Sequence, residues 1–252
     1  MLAVLIHVGQ TPNVCGGRCP IYSDGTFKFV PIAVTYPRSD PDPTFEDLGF
    51  AELVPPALRN YPAFKSPEFK TLTYSHITRG GESDVYERLR DEGGFLMFFS
   101  TLYYYDERPP AIEGISSDRG AYIIGYFEVE GVYTDREVVT NSKLQTRFKA
   151  NGQFGRIMED GERRGADWWI SGSEGRLLPR AMPLTEASDR SKWNAFARSN
   201  LTTAKCKSLA NYTKAFYNWT LVCPSRNLAP LRNLINQFTG VLIQRSAHER
   251  LG

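Results

Sequence analysis

Residues 2 to 8 read Leu-Ala-Val-Leu-Ile-His-Val, apolar at every position except His7. A strand with one wet face alternates apolar and polar residues, whereas a run like this belongs to a strand buried on both faces. Such a run calls for a core folded around it. Two later segments also read as strands. "FLMFFSTLYYY" (95 to 105) is strongly apolar, and "AYIIGYFEVEGVY" (121 to 133) carries Gly125 inside the strand pattern, the mark of a bulge or a bent barrel strand.

Between these runs the punctuation is plain. The stretch 9 to 26 is turn chemistry almost throughout, with Gly16-Gly17 and the tight-turn pair Asp24-Gly25. "TFKFVPI" (26 to 32) alternates rings with Lys28 and reads as a second, half-exposed strand. From 35 to 71 the chain is Pro-rich and aperiodic, yet too aromatic for a disordered linker. Ser83 caps a short helix, "DVYERLRDE", closed by Gly93-Gly94. Residues 151 to 166 are glycine-rich and charged and read as an exposed hairpin or loop. "DWWISG" (167 to 172) is a short strand and "RLLPRAMPL" a closing segment.

Beyond Asp189, a helix N-cap, the pattern turns helical. Leu228, Leu231, Ile235, Phe238 and Leu242 fall at helical spacing, with Pro230 in the first turn where it is tolerated and Gly240 weakening the end. The expected fold class is therefore α+β: a β-rich body over 1 to 187 with a curved or barrel-like sheet, and a basic helical region over 188 to 252 packed on it.

Charge divides the chain in the same place. Residues 190 to 252 hold ten Lys or Arg and one acid, Glu249, so a mildly acidic body carries a C-terminal quarter of about +9. That quarter interleaves its cations with Trp193, Phe196, Tyr212, Phe216, Tyr217, Trp219 and Phe238. Cations that displace condensed counterions, beside rings that offer stacking faces, suit a nucleic-acid partner. The competing explanation is a helical appendage docked on the acidic body.

Four cysteines are few for 252 residues. Cys15 and Cys19 are three residues apart in the gap, Cys206 and Cys223 sixteen, and neither pair has the C-x-x-C spacing of a zinc knuckle or a redox site. With His7, His76 and His248 as the full histidine set, a metal site would have to be assembled from distant parts. The sequence calls for no metal and no cofactor. "CGGRCP" is instead a backbone-shaped loop in which Gly16 and Gly17 can present N–H groups to an anion and Arg18 adds a charge. A sharp reversal that merely needs positive φ accounts for the same residues. No apolar run is long enough to span a bilayer, the opening lacks a basic n-region and cleavage site, and a cytoplasmic protein with no membrane partner is expected. Three N-x-[ST] sequons, at Asn200, Asn211 and Asn218, read as chance in that setting.

Catalytic motifs are absent: no G-x-S-x-G, P-loop, H-E-x-x-H or G-x-G-x-x-G. In "TLTYSHITRGG", His76 stands beside Tyr74 and Arg79, a combination that can move a proton or grip a phosphate, although such a histidine also often just bonds nearby backbone. Asp24 or Asp106 could partner it. Tyr103, Tyr104 and Tyr105 end a strand, so one or two rings stand at a rim. Trp168 and Trp169 must face opposite sides of theirs. One indole reads as core; the other, near Ser171 and Ser173, fits a base-binding wall with polar contacts, or else an aromatic-rich barrel core.

Taken together, the "HVG" strand end, the Gly-Gly loop, "PIYSDGTFKFVPI", "YIIGYFEVEGVY" and "SGSEGRLLPRAMPL" resemble the nucleotide modification associated domain 3 family over roughly residues 1 to 187. That family belongs to prokaryotes and phages, and the resemblance implies work alongside DNA or nucleotide modification proteins. The family has a "TYGD"-like motif where this chain has Tyr74-Ser75-His76, so its glycine and acid are replaced here and no catalytic role for that acid carries over. "AYIIGYFEVEGVY" is also similar, at the level of fold, to the barrel strand of PUA, ASCH and EVE domains, which implies a pocket for RNA or a flipped, modified base.

The expected function is recognition of a nucleotide or nucleic acid. Gly16, Gly17 and Arg18 would approach phosphate, Trp168 or Trp169 would stack, Ser171 and Ser173 would make polar contacts, and Lys205, Lys207 and Lys214 would hold the backbone. Two alternatives stand beside it: an enzyme acting on a nucleotide with His76 and Tyr74 as acid–base groups, and a structural adaptor whose basic region only packs on the body.

Overall fold

The computed structural model describes residues 2–9, 18–34, 43–77, 83–105, 119–160, 167–183 and 220–223. Its centre is β6 (Gly94–Tyr104), the run of rings and aliphatics that leads the sequence pattern. β1 (Leu2–His7) and β2 (Cys19–Ile21) lie parallel to β6 one after the other along the same edge, Leu5 opposite Met97 and Cys19 opposite Leu102. β7 (Arg119–Thr134) runs antiparallel along the other edge, β8 (Asp167–Pro183) follows β7, and β5 (Thr73–Ile77) closes that side. β9 (Thr220–Cys223) adds an antiparallel strand outside β1. The order β5-β8-β7-β6-β1-β9 forms a mixed sheet curled into a half-barrel. Together with a few helices, it gives an α+β fold.

Curling comes from bulges. The register of β6 on β7 shifts between Phe98 and Phe99, and that of β7 on β8 shifts at Gly125 and around Val129. Gly125 is the bulge site expected from the sequence, and its missing side chain has a use. A Cβ there would lie 2.4 Å from the Phe69 ring and 2.7 Å from the Arg176 carbonyl oxygen. Phe69 therefore packs flat on the sheet, edge-on to both Phe98 and Phe127.

The inner face is filled by Val4, Ile6, Val8, Leu96, Phe98, Ile124, Phe127 and Trp168. Two covers close it. One is the irregular stretch 43–71, which contributes Phe45, Leu53 and Val54 through two short 3-10 turns (Ala51–Leu53, Pro56–Leu58) and pairs β3 (Ile32–Ala33) with β4 (Ala63–Phe64). The other is α1 (Ser83–Glu92), whose Tyr86 and Leu89 reach full burial. As the sequence indicates, a glycine ends α1: Gly93 takes φ of +63°, and its N–H donates to the Leu89 carbonyl.

Four expectations need correction. The second strand is Cys19–Ile21, not 26 to 32, because the turn at Asp24-Gly25 folds the chain straight back and leaves only an isolated bridge between Ile21 and Phe27. Residues 167 to 183 are one long strand, because bulges absorb the register changes that suggested a break. Within 151–160 the chain is not a loop but turns into α4 (Phe154–Asp160), started by Asn151 Oδ1 accepting from the Gln153 N–H. Finally, Thr220–Cys223, inside the supposedly helical C-terminal region, is a strand of the main sheet.

Two helices had no counterpart in the sequence reading. α2 (Asp135–Thr140) opens on a capping box between Thr134 and Glu137, and α3 (Ser142–Phe148) on Asn141, whose side chain accepts from the Lys143 and Leu144 N–H groups. α2, α3 and α4 cover the outer face of the sheet at the β7–β8 end, where Val138, Phe148 and Ile157 surround Trp169.

Candidate functional site

β5 is short, but its alternation sorts its residues. Ser75 faces outward, where its hydroxyl donates to Asn151 Oδ1, while Tyr74 and His76 face inward. The Tyr74 hydroxyl and His76 Nδ1 lie 2.9 Å apart, and the Tyr74 ring packs edge-on to Phe98. Two residues of one sequence motif thus become a hydrogen-bonded pair.

That pair stands at the end of a column of rings. His76 is tilted against Tyr86 with centroids 5.3 Å apart, and Tyr86 stacks on Trp168 at 6.0 Å and 20°. The Arg90 guanidinium lies 5.1 Å from the Trp168 ring centroid. Arg90 is fixed by donating its Nε–H to the Val132 carbonyl and a terminal N–H to Glu137 Oε2, the same carboxylate that caps α2. Tyr86 and Arg90 are four apart on α1 and so share a face of the helix. That spacing was the available signal for both, and the sequence reading passed it over. Of the column, Tyr86 and Trp168 are buried while His76 is partly exposed. The Trp168 indole N–H is buried and has no acceptor among the described residues.

The two tryptophans do face opposite sides of β8, and both sides are covered. Trp169 is 0% exposed, edge-on to Phe148 and Phe154, with its indole N–H donating to Asp135 Oδ1 at 2.7 Å. Ser171 shares the Trp169 face and is buried, and Ser173 is exposed, with its hydroxyl 3.5 Å from the Glu128 carbonyl. The serines therefore accompany Trp169 and not the His76 column.

Arg18 belongs elsewhere. It sits just before β2, its guanidinium 5.4 Å from the Tyr103 ring centroid, and Arg119 approaches the same ring at 5.9 Å while donating to the Tyr103 hydroxyl. Arg119 opens β7 and pairs with Tyr103, whereas Thr134 closes β7 and pairs with Trp168, so the arginines and the His76 column lie at opposite ends of that strand. Asp24 is at the arginine end as well. Its carboxylate accepts from the Thr26 N–H and hydroxyl, and the Gly25 carbonyl accepts from Ala181 at the far end of β8. Asp24 thus does not join Tyr74 and His76. Gly16, Gly17, Cys15, Asp106, Lys205, Lys207 and Lys214 lie outside the described residues.

Cys19 is a packing residue. It is buried in the inner core, accepts from the Val30 N–H at 3.4 Å, and desolvation pushes its thiol up to about 11, far from a reactive thiolate. No cluster of three or more His, Cys, Asp or Glu suited to a metal ion occurs among the described residues. No helix among them is long and apolar enough to cross a membrane.

No curated protein and no solved structure matched this chain. One family did, and its match extends past residue 187, through β9, to residue 227. The chain belongs to the nucleotide modification associated domain 3 family, matched over residues 3–227.

Proposed function

We propose that this chain recognises a nucleotide or nucleic-acid component, with a modified base as the part it reads, within a nucleotide-modification system of a prokaryote or phage. The observation that carries this reading is the Tyr74–His76 hydrogen bond at the partly exposed end of the ring column. A phenol on Nδ1 holds an imidazole in one orientation, and an imidazole so held can meet the polar edge of a base in a defined direction. Rings stacked behind it favour a flat aromatic ligand, since every base has a π face. The curled sheet is compatible with a PUA-like barrel, the fold-level likeness carried by "AYIIGYFEVEGVY".

The distance between the two ends of β7 shapes the proposal. Sixteen strand residues have a contour of about 50 Å, far more than one nucleotide spans. A ligand touching both His76 and the Arg18–Arg119 pair is therefore a nucleic-acid strand, with phosphate near Arg18 and near Gly16-Gly17, and with Lys205, Lys207 and Lys214 on its backbone.

The test is fluorescence anisotropy of the full chain with labelled single-stranded and duplex oligonucleotides, and competition by free nucleotides, at low and moderate salt. Recognition requires base-dependent binding that His76→Ala weakens tenfold or more while Lys205→Ala chiefly lowers the salt dependence. Equal affinity of wild type and His76→Ala removes the ring column from the site. The same pair also favours a second reading, an enzyme with His76 and Tyr74 as acid–base groups. That reading expects His76→Ala to keep binding, lose turnover, and abolish a bell-shaped pH–rate profile.

A further inference from the structure

β5 is the end strand of the sheet. β8 pairs with it over its whole length, from Thr73 opposite Ser171 to Ile77 opposite Asp167. On its other side, among the described residues, only Glu68 bonds it, through a two-way bridge to Thr73 at the start of the strand. A strand bonded mainly on one side has less to hold its seat than an interior one. The Tyr74–His76 hydrogen bond does not help, since it joins two residues of the same strand and moves with it. What the seat of β5 decides is how the pair meets α1, where the His76 and Tyr86 ring centroids lie 5.3 Å apart.

Ser75 sits between Tyr74 and His76 and faces the opposite side, where its hydroxyl donates to Asn151 Oδ1 at 3.1 Å. Both residues are buried. Asn151 is itself well held. Its N–H donates to the Phe148 carbonyl, its carbonyl accepts from Phe154, and Oδ1 also accepts from the Gln153 N–H at 3.0 Å. Its Nδ2 is buried without an acceptor among the described residues, so the side chain acts through Oδ1 alone. The next residue, Gly152, packs so closely on Phe64 of β4 that any side chain there would collide with it. The junction between α3 and α4 is thus wedged between the cover of the inner face and β5. We propose that Asn151 is a positioning residue for His76: by gripping Ser75 it seats β5, and with it the direction in which His76 is offered to a ligand beside Tyr86. Asn151 acts from the opposite face of the strand, through Ser75 and the backbone. The inference rests on the reading of His76 as the group that meets the ligand, but its first test needs no ligand, so the two fail separately.

The experiment follows the carbon-bound ring protons of His76 by NMR in the full chain at neutral pH, assigned by their loss in His76→Ala. A ring tilted against Tyr86 feels its ring current, so these two chemical shifts report where β5 is seated. Ser75→Ala deletes one hydroxyl, leaves Asn151 bonded to Gln153, and should move both shifts toward their unfolded-chain values. Asn151→Ala should move them the same way, and the double variant no further than Asn151→Ala alone, as one shared contact requires. Leu5→Ala, a buried change on β1 with three strands between it and β5, should lower stability and leave both shifts in place. Unmoved His76 signals in Ser75→Ala, additive displacements in the double variant, or an equal displacement in Leu5→Ala overturns the proposal. With an oligonucleotide that His76→Ala binds less tightly, Ser75→Ala should bind less tightly as well, and full affinity there also overturns it. An oligonucleotide indifferent to His76→Ala counts instead against the ring column as the site.

Discussion

The indole N–H of Trp169 donates to Asp135 Oδ1 at 2.7 Å, and both residues are buried. This bond ties β8 to the first residue of α2 and holds the helical layer against the sheet. Trp168, next along the strand, has no acceptor for its indole N–H among the described residues. Phe in place of either Trp removes a similar volume, so the difference between the two variants isolates the hydrogen bond. Trp169→Phe should cost about 1–3 kcal/mol more than Trp168→Phe, the worth of a buried hydrogen bond to a carboxylate. Urea unfolding of both variants measures it, and equal losses would mean that the bond contributes nothing.

Arg90 does three things at once: it bonds the Val132 carbonyl, bonds the Glu137 carboxylate and lies over Trp168. A lysine can keep the charge but cannot reproduce the planar fork or the ring contact. The Glu137 pair is well exposed on both sides, so its own share is small. Arg90→Lys should destabilise by about 1 kcal/mol, and Arg90→Met by a similar amount, since methionine keeps the contact with the ring and loses the hydrogen bonds. If Arg90→Lys proves neutral in chemical denaturation, the guanidinium geometry is not what matters.

Which parts of this were legible follows from which signals are local. The apolar run of β1, the bulge at Gly125 and the glycine stop after α1 each depend on a few adjacent residues, and each is present. The pairing of Tyr74 with His76 was also a local hint, since alternation puts residues two apart on one face. The column behind it was not, because Tyr86 and Trp168 meet only when α1 crosses the inner face. Trp169 illustrates the opposite failure. Read as one of two rings on a two-sided strand, it invited a ligand, when the cover comes from helices 9 to 34 residues earlier in sequence that begin with a capping box at Thr134 and Glu137. Arg18 looked like a neighbour of the tryptophans only because nothing in one dimension tells which end of a long strand a loop will reach.

Gly125 gives a sharper test of the packing. Any side chain there meets the Phe69 ring on one side and the Arg176 backbone carbonyl on the other, both under 3 Å. The ring can swing aside, but the carbonyl belongs to β8 and is held in the sheet. Gly125→Ala should therefore cost about 2–3 kcal/mol, in the range for overpacking a core. Gly49→Ala is the matched control: it meets nothing within 4 Å and has only its φ of +75° to penalise it, for about 1 kcal/mol. If the two alanines cost the same in thermal or urea unfolding, Phe69 does not rest on Gly125 as described.

His7 makes the stability of the fold depend on pH. It interrupts the apolar run of β1, packs edge-on to Phe99 at 5.0 Å, and desolvation pushes its pKa down to about 4 from an ordinary 6.5. Above pH 6.5 the imidazole is neutral in both folded and unfolded chains, and its contribution is constant. Below 6.5 the unfolded chain takes up a proton that the folded chain refuses until about pH 4, so the unfolded state binds more protons and stability falls with pH across that window. A shift of this size sets a ceiling of about 3 kcal/mol, and partial exposure of the ring lowers the expected loss to about 1–2 kcal/mol. Carboxylates also begin to titrate at the acid end, so the informative quantity is the difference between wild type and His7→Phe, which keeps the ring contact and removes the titration. Urea midpoints at pH 7, 6, 5 and 4.5 should show the wild type losing ground steadily to the variant. Two parallel curves would assign the acid sensitivity to other groups and leave His7 as no more than a tolerated polar residue in a buried strand.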